Sequence, residues 1–348
     1  MRLLLIIKHL LKGVINMNKL KTLGFSALAG SLALTSAFAG EVTVAGGASM
    51  TVQHINGGAA NAGKTFKMGN QLTFTGAGEL DNGMNVTISF VLDQADDTAT
   101  TGTTASYAAV SPFDSHSITV SSDSWGSLKM DGEGGSSAQA AVDTTAAGDL
   151  WDNTLDISTA EDPKASSGTG GMLTYSIPAL VDGFAANVSY TPKKTTAASS
   201  TAWSVIYTGV EGLSLTYAQG ESNGTAGSEA DTTTLKASYA YGPITVGYSQ
   251  TEHDGKATDT STDQEVVAYN IAYTVSDAIS ISYGMEEISE PNDTSDADIE
   301  VDGITVSYTA GGMTLSGVMI NADNVDMDTA ANTNDTREKW ALTASFAF

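Results

Sequence analysis

The feature that most constrains this chain is an alternation of apolar residues with small or polar residues, which recurs in one short segment after another. The segment 84–93 shows it well: Met84, Val86, Ile88, Phe90 and Leu92 share one side, and mostly small polar residues fill the other. A period of two is that of a β-strand with one apolar face and one polar face. The sequence therefore predicts strands rather than helices.

Sixteen such segments can be drawn, each about ten residues long, as a tilted strand that crosses a bilayer requires. They are 41–54, 66–77, 84–93, 115–121, 126–131, 171–178, 183–192, 201–209, 212–219, 231–241, 243–252, 264–275, 278–288, 299–309, 312–321 and the C-terminal stretch 339–348. Short and longer connections alternate strictly between them, which is typical of periplasmic turns and extracellular loops. We predict an all-β fold, a 16-stranded antiparallel transmembrane β-barrel. Because the fourth and fifth segments are weak, fourteen or eighteen strands are alternatives.

A water-soluble β-sandwich would also alternate, but its polar face would carry many charges. Here that face is mostly Ser, Thr, Asn, Gly and Ala, and charges concentrate in the connections. In lipid every backbone N–H and C=O needs a partner, which a closed barrel supplies. The pattern favours a barrel whose polar face lines a watery lumen.

The N-terminus predicts export. Within 17–39, two lysines precede a short apolar run, 23–34, and Ala37-Phe38-Ala39 fits the small-x-small rule of signal peptidase. The alternative is a membrane anchor, for which the run is too short. We expect cleavage after Ala39, with 1–16 as a mis-assigned upstream start or a longer leader, and one barrel domain over 40–348.

Charge excludes one class of partner. The leader holds five of the fifteen lysines and arginines and none of the forty acidic residues, so the mature chain carries a formal charge of −30 (ten bases against forty acids). Nucleic acid is not an expected partner, since its binding needs clustered Lys and Arg. Such a chain should attract cations. It has no cysteine, so disulfides do not hold it.

Four stretches resemble the trimeric general porins of Gram-negative outer membranes, over the whole mature length. They are the leader running into EVTVAGGASMTVQ, WGSLKMDG at 125–132, LTYSIPALVDGFAANVSYTP at 173–192, and the terminal SFAF. The resemblance implies passive diffusion of small hydrophilic solutes and cations through a homotrimer in outer-membrane lipid, without a cofactor. It also implies that the first few strands and the last strand meet the neighbouring subunits, with the loop 94–114 latching onto one of them.

The last strand ends on an aromatic residue, and Trp340, Leu342, Phe346 and Phe348 share one side of it. The resemblance implies that the barrel-assembly machinery recognises this strand. Phe348 is then expected in the aromatic girdle at the periplasmic rim. The alternative is that Phe348 merely ends a strand.

The resemblance further implies that the third long loop folds into the barrel and narrows it. That loop is 132–170, the longest connection, and its candidate constriction residues are Asp143, Asp149, Asp152, Asp156, Glu161 and Asp162. They are expected to set the field at the narrowest point, unless they are simply solvated. The family usually opposes this loop with several arginines, whereas the mature chain has only Arg337. The inward bases that parity indicates are Lys67, Lys129 and Lys236, and the balance predicts a preference for cations that salt screens.

Three other functions are compatible with parts of the sequence. The acidic runs 292–298 and 321–329 could gather oxygen ligands around Ca²⁺, although neither has the glycine and glutamate of an EF-hand loop. A hydrolase on a barrel needs a nucleophile beside a base. His54, His116 and His253 lie in no such motif, so we predict no enzyme. An acidic cell-surface structural protein or adhesin would share the leader and the charge, but not the terminal aromatic strand.

Overall fold

The computed structural model describes residues 41–57, 62–93, 113–148, 150–151, 163–166, 168, 170–193, 199–223, 229–256, 263–291, 298–325, 327 and 336–348. Its strands are β1 (Glu41–Asn56), β2 (Gly63–Glu79), β3 (Asn85–Asp93), β4 (Phe113–Ser122), β5 (Gly126–Glu133), β6 (Met172–Ile177), β7 (Phe184–Thr191), β8 (Ser199–Tyr207), β9 (Leu213–Asn223), β10 (Ala230–Tyr241), β11 (Ile244–Gly255), β12 (Gln264–Ser276), β13 (Ile279–Ser289), β14 (Ile299–Ala310), β15 (Met313–Asp323) and β16 (Arg337–Ala347). In this part of the chain, no helix is long and apolar enough to cross a membrane.

The strands form one closed antiparallel sheet. Each strand pairs with its neighbours in sequence, and β1 pairs with β16 to close the ring. The predicted 16-stranded antiparallel barrel is confirmed, including its two weakest segments, which are β4 and β5.

Side chains alternate between the two faces of every strand. On β14, Ile304, Val306 and Tyr308 are exposed, whereas Val301 and Thr305 between or beside them are buried. In a closed barrel one face looks outward and the other into the lumen. An outward face made of exposed aliphatic and aromatic side chains is that of a barrel surrounded by lipid.

The strands run further than predicted at the end that carries the long connections. β9 ends at Asn223 rather than 219, and β11 ends at Gly255 rather than 252. The added outward positions include Glu221 and Asp254, which are polar and exposed. Lipid requires apolar side chains only across the hydrocarbon layer, so the sheet continues above that layer without the alternation that sequence analysis detects.

The seam between β1 and β16 uses the last residue of the chain. The paired stretch runs from Gly47↔Ala347 to Asn56↔Glu338. Beyond it, Gly46 N donates to Phe348 O (2.8 Å) and Phe348 N donates to Gly46 O (3.0 Å). A Cβ on Gly46 would lie 2.5 Å from Phe348 Cε2, so the ring covers this glycine. Phe348 thus completes the seam with its backbone and covers it with its ring.

Among the glycines with positive φ in the short turns, two differ clearly in their surroundings. Gly212 (φ +77°) precedes β9, and Gly242 (φ +57°) follows β10. A Cβ on Gly212 would lie 2.3 Å from Ala240 O, whereas a Cβ on Gly242 would meet nothing within 4 Å.

Gly212→Ala is therefore expected to destabilise the barrel more than Gly242→Ala. Both substitutions place alanine in the left-handed region, at about 1–2 kcal/mol. Only Gly212→Ala adds a clash with backbone, of about 1–3 kcal/mol. The temperature at which each variant loses its folded mobility on SDS gels measures the difference. Equal midpoints would contradict the steric account.

Candidate functional site

The connection between β5 and β6, residues 134–171, contacts inward-facing residues of the wall at several of its described positions; we call it the inner loop. Ala138 N donates to Ser189 Oγ of β7, and Ala146 N donates to Ser249 Oγ of β11, each at 2.8 Å. Both serines belong to the buried face of their strands, opposite the exposed apolar side chains. The inner loop therefore follows the lumen wall from β7 onward.

Glycines on the wall make room for the inner loop. The loop approaches Gly220 of β9 through Ser166, Gly247 of β11 through Ala146, Gly284 of β13 through Ala147 and Gly303 of β14 through Leu150, and we call these four the glycine groove. A Cβ on Gly284 would lie 2.8 Å from Ala147 Cβ, and one on Gly303 would lie 3.0 Å from Leu150 Cδ2. Glycine within a strand often marks a close approach of another segment. That signal was present in the sequence and was not used.

The buried carboxylate of Glu286 on β13 holds the part of the inner loop around Leu150 and Trp151. Its Oε2 accepts hydrogen bonds from Leu150 N (2.9 Å), Trp151 N (3.4 Å) and Thr145 Oγ1 (3.4 Å). Glu286 is 2% exposed. A carboxylate that accepts backbone N–H groups forms stronger bonds than a neutral acceptor does. Sequence reasoning missed Glu286, although a glutamate at an inward position of a strand was a usable signal.

Leu150 and Trp151 also pack into an apolar cluster inside the barrel. The other buried members are Val266, Ile288, Ile299, Val301, Ile320, Ala322, Val325 and Met327. The lumen face, expected to be mostly small and polar, is apolar here, because the ends of β12–β15 face the inner loop rather than water. Burial of apolar area contributes about 25 cal/mol per Å², so this contact fixes the loop against one side of the wall.

The predicted acidic residues are described only in part. Asp143 is partly buried and has an interaction partner. The others, Asp149, Asp152, Asp156, Glu161 and Asp162, lie outside the described residues. Their position at a constriction stays a prediction.

The three predicted bases occupy the inward faces of their strands. Lys67 stands between exposed Phe66 and Met68 on β2. Lys129 Nζ pairs with Asp131 Oδ1 on β5 at 2.7 Å, and Asp131 is buried. Lys236 of β10 donates through Nζ to the carbonyl oxygen of Thr144. Of these three, Lys236 contacts the inner loop itself.

Two further bases share the inward face of β16. Arg337 and Lys339 are buried and alternate with exposed Glu338 and Trp340. The parity of Trp340 could have identified Lys339, which the sequence analysis did not single out. The lumen wall thus carries more basic charge than the strongly acidic composition indicates.

Part of the acidic charge faces outward at the long-loop end. The side chains of Glu252, Glu265, Glu287, Glu300 and Asp323 lie on the outward parity of β11–β15, above the apolar band. Cross-strand partners include Glu252↔Glu265, Glu287↔Glu300 and Glu300↔Asp323. Like charges directly opposite one another are unfavourable. These five acidic side chains form an outward rim on the outer surface of the barrel. The net charge of the chain therefore does not measure the charge of the lumen.

The histidines considered for catalysis are dispersed on β1, β4 and β11. His253 Nδ1 lies 2.9 Å from Thr232 Oγ1. Thr232 is only 1% exposed, so a substrate cannot reach its hydroxyl. Among the described residues, no group of three or more His, Asp or Glu could hold a metal ion. The acidic runs 292–298 and 321–329 fall partly outside those residues, so calcium binding there stays a prediction.

Comparison with known proteins adds independent findings. The family model described as Gram-negative porin matches residues 25–348. Similar solved structures include OmpT, an outer membrane protein of Vibrio cholerae (TM-score 0.64, 13% identity, covering 91% of this chain and 100% of that chain). Others are an anion-selective porin from Comamonas acidovorans (0.58, 15%, 89% and 100%) and a mutant of Rh. blastica porin (0.61, 15%, 88% and 100%). At these identities the structural likeness concerns the fold alone. No curated protein matches the chain significantly.

Glu286→Ala is expected to release the part of the inner loop around Leu150, since Leu150 N and Trp151 N lose a charged acceptor. Loss of such a bond costs about 1.5–3 kcal/mol, and the amide of Leu150 should exchange its hydrogen at least about tenfold faster. Hydrogen exchange read by mass spectrometry measures this. The matched control is Glu287→Ala, which removes the neighbouring, outward-facing carboxylate. Unchanged exchange in Glu286→Ala would show that Glu286 does not anchor the loop.

Proposed function

Because the chain belongs to the Gram-negative porin family, we propose that it is a passive channel of the outer membrane for small hydrophilic solutes and ions. The observation that carries the proposal is the inner loop, whose described residues follow the inner wall of a closed barrel and are held there by wall side chains. A sixteen-stranded barrel is too wide to be filled by its own side chains and leaves an aqueous channel. Diffusion through such a channel requires no cofactor and no catalysis.

Solutes would be selected by their size at the inner loop and by their charge in the space around it. Between 143 and 164 the inner loop has six carboxylates and a single lysine, Lys164. We propose that these carboxylates, opposed by Lys67, Lys129 and Lys236, set a preference for cations. Charged rings act on permeating ions in this way in other channels. Arg337 and Lys339, the inward bases of β16, oppose this preference for cations. The magnitude of the cation preference is therefore the quantity to measure.

We propose a homotrimer whose subunits meet through the outward faces of β16 and β1–β5. Eleven of the twelve tyrosines are described, and Tyr107 is the one outside the described residues. All eleven lie on outward positions of β6–β14: Tyr175, Tyr190, Tyr207, Tyr217, Tyr239, Tyr241, Tyr248, Tyr269, Tyr273, Tyr283 and Tyr308. Tyrosine favours the headgroup region, where its hydroxyl is wet.

The remaining sector exposes phenylalanine, methionine and aliphatic side chains, among them Phe66 at 79% exposure. A sector with apolar bulk and no described tyrosine suits contact with a neighbouring subunit better than contact with headgroups. The loop 94–114, expected to latch onto the neighbour, lies almost entirely outside the described residues.

Export and assembly complete the proposal. The leader would direct the chain through the general secretion pathway, and the barrel-assembly machinery would recognise Trp340, Leu342, Phe346 and Phe348. All four lie on the outward parity of the closing strand, accessible from the membrane side.

In a planar bilayer under a KCl gradient, we expect conductance steps in groups of three and a reversal potential with the sign of K⁺ permeation. Asp149→Asn combined with Asp152→Asn should reduce that potential, because it removes two charges from the inner loop. The control with the same change in net charge is Glu287→Gln combined with Glu300→Gln on the outward rim.

Chloride selectivity, or an equal shift in the control, would overturn the acidic constriction and leave the channel intact. Absence of any conductance from protein that is folded and inserted would overturn the porin function itself. Single rather than threefold steps would argue against the trimer.

Phe348→Ala is expected to reduce the amount of folded barrel in the outer membrane of living cells. Refolding of the purified variant in detergent, where no machinery acts, should stay close to that of the unmodified protein. Phe74→Ala, which removes an outward phenylalanine of β2, is the control in both assays. If Phe348→Ala fails equally in cells and in detergent, Phe348 serves the seam rather than recognition.

A further inference from the structure

The two arms of the inner loop are joined to each other where they pass the wall. We call residues 134–148 the outgoing arm and residues 163–166 the returning arm. Ser137 Oγ of the outgoing arm lies 2.6 Å from Ser166 Oγ of the returning arm, and Ser166 N donates to Gln139 Oε1 at 2.8 Å. All three side chains are buried. The whole acidic stretch of the loop, from 143 to 162, lies in sequence between these contacts.

A single helical turn holds Gln139 in place. Ala141 N donates to the carbonyl oxygen of Ser137 at 2.9 Å, and Ala140 N donates to Ser137 Oγ at 3.0 Å. A serine at the start of a helical turn caps it in this way, because its side chain accepts a backbone N–H that has no partner within the turn. The hydroxyl of Ser137 thus caps the outgoing arm and also contacts the returning arm.

The amide of Gln139 also reaches the wall. Its Nε2 donates to Thr234 Oγ1 of β10 at 2.9 Å, and Thr234 Oγ1 lies 2.9 Å from Thr251 Oγ1 of β11. Glutamine provides one carbonyl acceptor and two N–H donors, so this one side chain binds both the returning arm and the wall. Gln139 and Thr234 are each 0% exposed. Because both are excluded from water, a lost bond here leaves buried polar groups without a partner.

The returning arm carries charge, and it meets the wall through Gln139. A second contact with the wall is made by Lys164 N, which donates to Gln264 Oε1 of β12 at 2.8 Å. Glu161 and Asp162 directly precede the returning arm in sequence, and Lys164 belongs to it. The place of the returning arm therefore decides where three charges of the inner loop lie.

We propose that Gln139 is a positioning residue of the channel, which joins the returning arm to the outgoing arm and to β10. It thereby fixes where Glu161, Asp162 and Lys164 act on permeating ions. This inference rests on the proposed function, in which the charges of the inner loop select ions. Gln139 is itself neutral and buried, so it acts through the returning arm and not by a charge of its own.

Gln139→Leu tests this role, because leucine has a similar size and no hydrogen-bonding group. The amide of Ser166 loses its acceptor and should exchange its hydrogen about tenfold faster, as read by mass spectrometry on the folded barrel. In a planar bilayer under a KCl gradient, the variant is expected to lose part of its preference for K⁺, because Glu161 and Asp162 no longer have a fixed place. Gln250→Leu is the matched control, since the amide of Gln250 donates to carboxylates on the outward face.

A disulfide can replace the contact between the arms. The chain has no cysteine, so Ser137→Cys combined with Ser166→Cys introduces a single pair. The 2.6 Å between the two hydroxyl oxygens places sulfur atoms there within reach of an S–S bond. Added to Gln139→Leu, the oxidised pair should restore slow exchange of the returning arm and the preference for K⁺, and its reduction should abolish both again.

The control disulfide is Thr309→Cys combined with Thr314→Cys, at the hairpin between β14 and β15. The hydroxyl oxygens of this pair lie 3.0 Å apart. Added to Gln139→Leu, this disulfide should restore neither the slow exchange nor the preference for K⁺.

Unchanged exchange in Gln139→Leu, or faster exchange with an unchanged reversal potential, would overturn the role of Gln139. A loss of K⁺ preference that the oxidised pair does not restore would overturn it as well. If Gln139→Leu does not fold, as judged by its mobility on SDS gels, Thr234→Val removes the wall partner of the same amide without a change of shape and is judged by the same outcomes. If the unmodified protein does not conduct, or prefers chloride, the proposed function fails instead, and the exchange measurement alone shows whether Gln139 joins the arms.

Discussion

Everything in this structure depends on the pairing of β1 with β16. A strand edge in lipid would leave a row of unpaired backbone groups, each unsatisfied at a cost of several kcal/mol. The ladder from Gly47↔Ala347 to Asn56↔Glu338 removes that edge, and the reciprocal bonds between Gly46 and Phe348 extend the ladder to the last residue. Once the ring is closed, each strand has a fixed inside and outside. The outward apolar band and the inward polar wall both follow from that.

Closure creates a second requirement, because a ring of sixteen strands encloses more space than its own side chains can fill. The inner loop occupies part of that space. Its backbone N–H groups donate charge-assisted hydrogen bonds to Glu286 and neutral ones to Ser189 and Ser249, and the apolar contacts of Leu150 and Trp151 also hold it to one side. The barrel interior is therefore divided between a packed region next to β12–β15 and a polar region elsewhere.

The fold could be predicted almost completely from the sequence, because lipid imposes one chemical rule on every second residue. The prediction was imprecise where that rule ends, as at the polar extensions to Asn223 and Gly255. The interior could not be predicted in the same way. Ile299 and Val301 point inward although they are apolar, because their partner is a loop more than a hundred residues away in sequence. Glu286 and the glycine groove are likewise explained only by that distant partner, and net charge could not separate the outward rim from the lumen.

The glycine groove has a consequence for how far the inner loop projects into the barrel. Ala147 and Leu150 approach the wall where Gly284 and Gly303 have no side chain, at separations that already exclude an added methyl group without movement. The position of this part of the loop is therefore determined by the smallest residues of the wall as much as by the residues of the loop. Each carbon atom added in the groove would push the loop toward the axis. The residues without side chains on β13 and β14 thus help to set how much of the barrel interior the inner loop leaves open.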